Sequence, residues 1–224
     1  MAGSGGVTSV IAFADATLAA RAALGDVFRR ASEDSPAGAL WGDAASEAAV
    51  YLDPYVEHEP ESLLLALVDD RVVGYLAGSL GPASFPSESA LIDAAIREHR
   101  LMRRRDTRRF FIRALRDSAA AAVRRRPTAR ALEDPRWPAH LHIDLVPEAR
   151  GRGVGDALMR AWAARLEEAG VGCYLQTQVE NARARRFFAR HGYVEFGPPA
   201  LIPGLRVDGA VSWQVTMVNP APRA

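Results

Sequence analysis

Two clusters in this 224-residue chain combine residue types and spacings that can do chemistry. In Arg150-Gly151-Arg152-Gly153-Val154-Gly155, three glycines alternate with other residues, directly after the apolar run Leu141 to Val146 and directly before a helical pattern. Glycines let the backbone come close to a ligand, and the first turn of a helix leaves about four N–H groups without partners. Those donors and the positive end of the helix dipole favour a phosphate group. In His140-Leu141-His142-Ile143-Asp144, the strand period of two puts both imidazoles and the carboxylate on one face.

That face admits three chemistries. A metal triad is one, but a single strand rarely closes such a site and no other histidine is near in sequence, so no metal is assigned. The others are a satisfied polar layer over a sheet and acid–base equipment beside a reacting group. In the last case His142 and Asp144, as a hydrogen-bonded pair, make a base tuned near neutrality, and these two are the catalytic candidates.

The glycine stretch separates three kinds of phosphate site. A P-loop needs Gly-Lys-Ser/Thr, and the chain contains no lysine. A dinucleotide fingerprint needs G-x-G-x-x-G, whereas here the third glycine comes one residue early. The remaining pattern is Arg150-x-x-Gly153-x-Gly155. Its neighbours follow in order: a helix in which Ala157, Leu158, Ala161, Trp162, Arg165 and Leu166 repeat at three and four before Gly170 stops it, then a short strand, Cys173 to Val179. After them stands Asn181-x-x-Ala184-x-x-Phe187-Phe188-x-x-x-Gly192-Tyr193. An ordinary βαβα unit with a glycine turn is the plain alternative.

Together these residues resemble the two signatures of the GNAT superfamily of N-acetyltransferases, the second of which reads Asn-x-x-Ala-x-x-Phe-Tyr-x-x-x-Gly-Phe. The resemblance implies an α/β fold with a mixed, mostly antiparallel central sheet of about six to seven strands flanked by helices. It implies an acetyl-CoA-dependent N-acetyltransferase whose acceptor, the amine of a small molecule or peptide, attacks directly in a ternary complex, and it requires no metal. On the same basis, backbone donors at Leu145 and Val146 would polarise the thioester carbonyl. The amides from Gly151 through Val154 to Gly155 would hold the pyrophosphate, with Arg150 and Arg152 adding charge. Asn181 would bond the pantetheine arm, and Phe188 would pack against the thioester. The stretch His140 to Leu145, followed by Pro147, also resembles bacterial relatives of the acetyltransferase-like region of O-GlcNAcase.

Two departures bear on the chemistry. Phe188 stands where many relatives place a tyrosine acid, and Gln176 where several place a glutamate base. Tyr174 and Tyr193 are either replacements for the acid or packing residues. A thiol with a pKa near about 8.5 departs without help, and general acid catalysis is worth about 10²–10⁴-fold, so the loss slows the reaction without forbidding it. A non-catalytic acyl-CoA-binding sensor or interaction domain is the alternative reading.

Composition fits one domain: 49% hydrophobic residues over this length can bury a sizeable core. The expected layout is a flexible N-terminus over 1–6 and a single domain over 7–219, with a helical insertion over 82–139 between the third and fourth strands and the acetyl-CoA core over 140–197. The single cysteine, Cys173, excludes a disulfide framework and suits a buried strand position in a reducing, cytoplasmic setting. No signal-peptide pattern and no long apolar run are present, so no membrane partner is expected. All 28 basic residues are arginine, which points to a GC-rich bacterial genome, and a net charge of +1 argues against a nucleic-acid surface. A homodimer is left open.

The elements that must position these residues can be read in outline. Thr8 to Ala14 alternates as a strand, and Asp15 should cap a helix through Leu18, Leu24 and Phe28. Ser35 to Gly38 reads as a loop, Ala44 to Tyr55 as a helix ending near Asp53-Pro54, and Leu63–Val68 with Val72–Leu80 as a hairpin turning at Asp69-Asp70. In the insertion, Leu91, Ile92, Ala95, Ile96 and His99 give one apolar stripe, and Phe111, Leu115, Ala119 and Ala122 another. Its 13 arginines between Arg97 and Arg130 are solvated faces, a lid on the cofactor's 3′-phosphate, a site for an acidic acceptor, or a partner surface; no aromatics interleave as base stacking needs. Asp53, Tyr55, Glu57, His58 and Glu59 form either an acidic, aromatic cluster for a cationic amine or an exposed helix end. Tyr193–Phe196, a proline-rich connection to Gly209, and an alternating strand over Ser212–Met217 close the chain.

Overall fold

The computed structural model describes residues 8–33, 40–81 and 85–220; the loop expected at Ser35 to Gly38 lies outside the described residues. Seven strands form one sheet: β1 (Thr8–Ala12), β2 (Leu63–Val68), β3 (Arg71–Ser79), β4 (Ala139–Leu145), β5 (Cys173–Gln178), β6 (Val194–Val207) and β7 (Ala210–Asn219). Their order is β1-β2-β3-β4-β5-β7-β6, and only the β4–β5 neighbours run parallel. The mixed, mostly antiparallel α/β architecture is therefore as expected. Asp69 and Asp70 both take positive φ, 49° and 60°, which is the turn that matches strand twist in a two-residue hairpin.

Helices α1 (Leu18–Glu33), α2 (Ala44–Tyr51) and α3 (Asp53–His58) precede the hairpin, and α4 (Glu88–Glu98) and α5 (Arg105–Val123) occupy the insertion. Helices α6 (Val154–Ala169) and α7 (Ala182–Arg190) follow β4 and β5. Two N-terminal expectations are corrected. Asp15 ends a 3-10 turn over Phe13–Asp15, and Thr17 receives the Ala20 N–H at 3.2 Å in its place. The helix expected over Ala44 to Tyr55 is two, because Pro54 has no N–H to continue α2 and instead occupies the first turn of α3.

The main core lies between β2–β4 and the helices, with Leu63, Leu65, Leu76, Leu158 and Trp162 at 0% exposure. A Cβ on Gly78 would sit 2.4 Å from the Trp162 ring, so the absence of a side chain there is what lets α6 lie on β3. A second, smaller core under the insertion gathers Trp41, Val50, Ala95, Leu101 and Phe111. The stripe expected on α5 is shifted: Thr107, Phe111 and Ala121 are buried, whereas Leu115 is 66% exposed. At the edge, β6 runs straight through Pro198, Pro199 and Pro203, expected as a connection, because register shifts and an edge position require no N–H there.

Candidate active site

β4 pairs with β3 from Gly74↔Leu145 to Ser79↔His140. With β5 it pairs only at Ala139↔Cys173 and His140↔Tyr174, so the two strands part from Leu141 onward. Hydrogen-bonding groups alternate sides along a strand. The Val146 N–H donates to Val73 O at 3.0 Å, on the β3 side, so it is already used by the sheet. Of the two backbone donors expected here, Leu145 is the one whose amide faces the gap.

The glycine loop closes the wide end of that gap. Gly151 and Gly153 adopt φ of +77° and +80°, which side chains strongly disfavour, and a Cβ on either would meet open space. Gly153 caps α6 without a side chain, and the first intrahelical bond runs from Ala157 N–H to Gly153 O at 3.0 Å. The amides of Val154, Gly155 and Asp156 are therefore left pointing out of the helix end. Gly155 has a second task, since a Cβ there would lie 3.1 Å from the Phe187 ring and require that ring to shift by a few tenths of an ångström. Arg152 is exposed. The Arg150 guanidinium donates to Leu145 O at 3.2 Å and Ala31 O at 3.3 Å, so it ties the end of β4 to α1.

On α7, Asn181 Oδ1 caps the helix by accepting the Ala184 N–H at 3.0 Å. Phe188 is buried at 6% exposure in the main core, its ring against Tyr193. His191 Nε2 meets Asp156 Oδ1 at 2.9 Å, which joins the end of α7 to the first turn of α6.

The other face of β4 carries His140, His142 and Asp144, opposite Ser79, Ala77 and Tyr75 in register. The direct partner of Asp144 is Tyr75, which donates its hydroxyl to Oδ2 at 2.7 Å. His140 Nε2 lies 2.9 Å from Tyr55 Oη, and the Tyr51 hydroxyl donates to Glu88 at 3.1 Å. The His142 ring sits edge-on between Tyr51 and Tyr55, at centroid distances of 6.0 and 5.9 Å. Burial lowers the pKa of His142 against the opposing pull of Glu88 and Asp144, and burial with the neighbouring His142 brings His140 down to about 3. Both imidazoles are neutral at physiological pH. Burial pushes the Tyr51, Tyr55 and Tyr75 hydroxyls well above their usual range, so all three stay protonated, and Tyr51 and Tyr75 donate to carboxylates.

Tyr51, Tyr75 and Glu88 are the residues that sequence reasoning missed here; only the alternation of β3, which aims Tyr75 to the same side as Ala77 and Ser79, carried a signal. The acidic cluster expected on α3 is divided. Tyr55 (3% exposed) faces the sheet, and Glu59 receives the Ser79 hydroxyl and the Leu80 N–H, the latter at 3.0 Å, while Asp53 and Glu57 are exposed. Gln176 donates to Arg130 O at 2.7 Å, held by the strand-like segment that follows α5. Tyr174 and Tyr193 are both buried, and burial raises Tyr174 to about 12 and Tyr193 further. Among the described residues, no three of His, Cys, Asp and Glu are placed to hold a metal ion, and no helix is long and apolar enough to cross a membrane.

Residues 85–193 match the model of the acetyltransferase (GNAT) family. Among solved structures, a histone acetyltransferase HPA2 and related acetyltransferase of Corynebacterium glutamicum is similar at 19% identity and a TM-score of 0.57, over 97% of this chain and 98% of that one. The yncA protein of Salmonella typhimurium, solved with its cofactor acetyl-CoA, is similar at 14% identity and a TM-score of 0.57, over 97% and 95%. The ribosomal-protein-S18-alanine N-acetyltransferase of Escherichia coli is similar at 13% identity and a TM-score of 0.51, over 97% and 96%. The parted β4 and β5, the glycine-headed α6 and these matches agree: the chain has the GNAT acetyltransferase fold, and its stretch from Phe85 to Tyr193 matches that family.

Proposed function

We propose that this chain binds acetyl-CoA and transfers its acetyl group to the amine of a small molecule or peptide. The observation that carries this reading is the pairing of β4 with β5 at two residues only, directly before a helix whose first amides have no cap. A pantetheine arm fits between the strands as a third, hydrogen-bonded ribbon, with its pyrophosphate on the amides of Gly151 to Gly155. The Leu145 N–H then faces the thioester oxygen and stabilises the negative charge that develops there. Asn181 Oδ1 accepts the helix-cap bond, and its amide nitrogen brings two donors that can reach the arm.

The acceptor enters over the β4 face that carries His142 and Asp144. Neutral His142 takes the ammonium proton and Asp144, oriented by Tyr75, stabilises the imidazolium that results. The amine lone pair forms the new C–N bond, the C–S bond breaks with its electrons on sulfur, and coenzyme A leaves as a thiolate. Phe188 has no proton to give it, so solvent protonates the sulfur after departure. The finer kinship with bacterial relatives of the O-GlcNAcase acetyltransferase-like region rests on His140 to Leu145 and belongs to the same proposal.

A second reading has its own observation. Phe188 is a core residue and Gln176 is tied to a backbone carbonyl, so neither supplies the usual acid or base, and such a domain would bind acyl-CoA without turnover. Following thiol release from acetyl-CoA across a panel of primary amines separates the two. Amine-dependent release supports the transferase; tight binding with no release for any amine supports the sensor.

A further inference from the structure

A cleft of about 510 Å³ opens at the other end of the sheet from the glycine loop. Its walls include Ser62 at the start of β2, Leu80 and Gly81 beyond β3, and Arg165 near the end of α6. Because β3 and β4 are antiparallel, Ser79 faces His140 at this end and Gly74 faces Leu145 at the loop end. Along α6, the eleven residue steps from Val154 to Arg165 correspond to about 16 Å. A ligand here is therefore separate from anything held by Gly151 to Gly155.

Two polar groups in the wall have no partner. Arg165 Nε is buried and makes no hydrogen bond, and a guanidinium is donor-only, so what it lacks is an acceptor. Ser62 is 3% exposed, and although its backbone is used by Glu59 and Gly78, its hydroxyl takes part in no hydrogen bond among the described residues. Leaving the buried Arg165 Nε unpaired is costly, and an occupant that accepts from it, and from the Ser62 hydroxyl that opens on the cleft, removes that cost. His58 at the rim adds a third donor. Of the two acids that also line the cleft, Glu59 is held by the Ser79 hydroxyl and the Leu80 N–H, and Glu61 is exposed, where water and salt screen it.

We propose that this cleft is a second binding site, for the oxyanion group of a small molecule, held by the Arg165 guanidinium and the Ser62 hydroxyl. Its volume is within the range of small-molecule sites. A carboxylate and a phosphate monoester share the chemistry required: a charged, multi-lone-pair acceptor that takes a guanidinium in two contacts. Helix α3 ends at His58 on the rim and carries Tyr55, the partner of His140, one turn earlier, so the cleft adjoins the acceptor face through a single element.

The test is a titration of the full nitrogen-labelled chain with inorganic phosphate and, separately, with malonate, read by amide chemical shifts. The expected result is saturable shifts at Ser62, Leu80 and Gly81. The Kd should rise about tenfold or more in Arg165→Gln and stay unchanged in Arg160→Gln, an exposed position on the same helix. Whichever anion binds more tightly identifies the group. Shifts confined to Gly151–Gly155, no shifts with either anion, or an unchanged Kd in Arg165→Gln would overturn the proposal. Since acetyl-CoA plays no part in these titrations, the result stands apart from the transferase reading.

Discussion

The two sides of β4 hold their chemistry in different materials. Toward β5 the site is backbone: an unpaired strand edge, two glycines at positive φ, and the amides of a helix end. Toward α2–α4 it is side chains, drawn from α2, α3, β3, β4 and α4 and packed ring against ring around His142. A backbone site depends on few residues and fails when one of them is given a side chain. A side-chain site is redundant in packing, and its losses are graded according to whether a proton, a hydrogen bond or only volume is removed.

Gly153→Glu should give the largest effect. It forces a side chain into φ +80° and sets a carboxylate at the phosphate-facing helix end, so acetyl-CoA affinity should fall at least about 100-fold by calorimetry. Retained affinity would mean that the loop is not the cofactor's anchor. On the other side, His142→Ala should lower kcat by about 10²–10⁴-fold while leaving acetyl-CoA affinity unchanged, because only the proton acceptor is lost. A parallel fall in cofactor affinity would show that the two sides are not separate.

A stability effect of middle size comes from His140. Its folded pKa of about 3 lies below the free value of 6.5, so between those values the unfolded chain binds a proton that the folded chain refuses. Stability is complete above about pH 6.5 and is lost as pH falls toward 3, by about 3 kcal/mol at most near pH 4. His140→Gln, which keeps an acceptor for Tyr55, should flatten the slope of Tm against pH over that window; an identical slope would contradict the assignment. Tyr75→Phe removes one hydrogen bond to Asp144 without changing volume, so about 1 kcal/mol in a denaturant melt and a fall in kcat of up to about tenfold are expected. The smallest effect belongs to Leu115→Gln, at 66% exposure, which should shift stability by less than about 0.5 kcal/mol.

The same contrast explains what could be read from the sequence. The glycine loop, the strand before it and the helix after it are local, so Arg150 to Gly155 announce their turn and the helix that follows it. The structural part played by one residue of that loop was less legible: Arg150 also donates to Leu145 O and Ala31 O, because β4 and α1 end beside it. On the acceptor face, the alternation of His140, His142 and Asp144 was visible. The expected His142–Asp144 bond was not the one formed, since the residue opposite Asp144 in register is Tyr75, 69 positions away. Helix α5 failed differently: it has apolar residues on more than one side, and only the position of Trp41 and β6 decides that Phe111 rather than Leu115 turns inward.

Acetyl-CoA binding measured by calorimetry on the unaltered chain, with His142→Ala alongside, is the most direct test. Micromolar binding of equal strength in both proteins is expected if the backbone side of β4 holds the cofactor and the side-chain side serves the acceptor. No binding to the unaltered chain would contradict the assignment of the parted strands as a cofactor site.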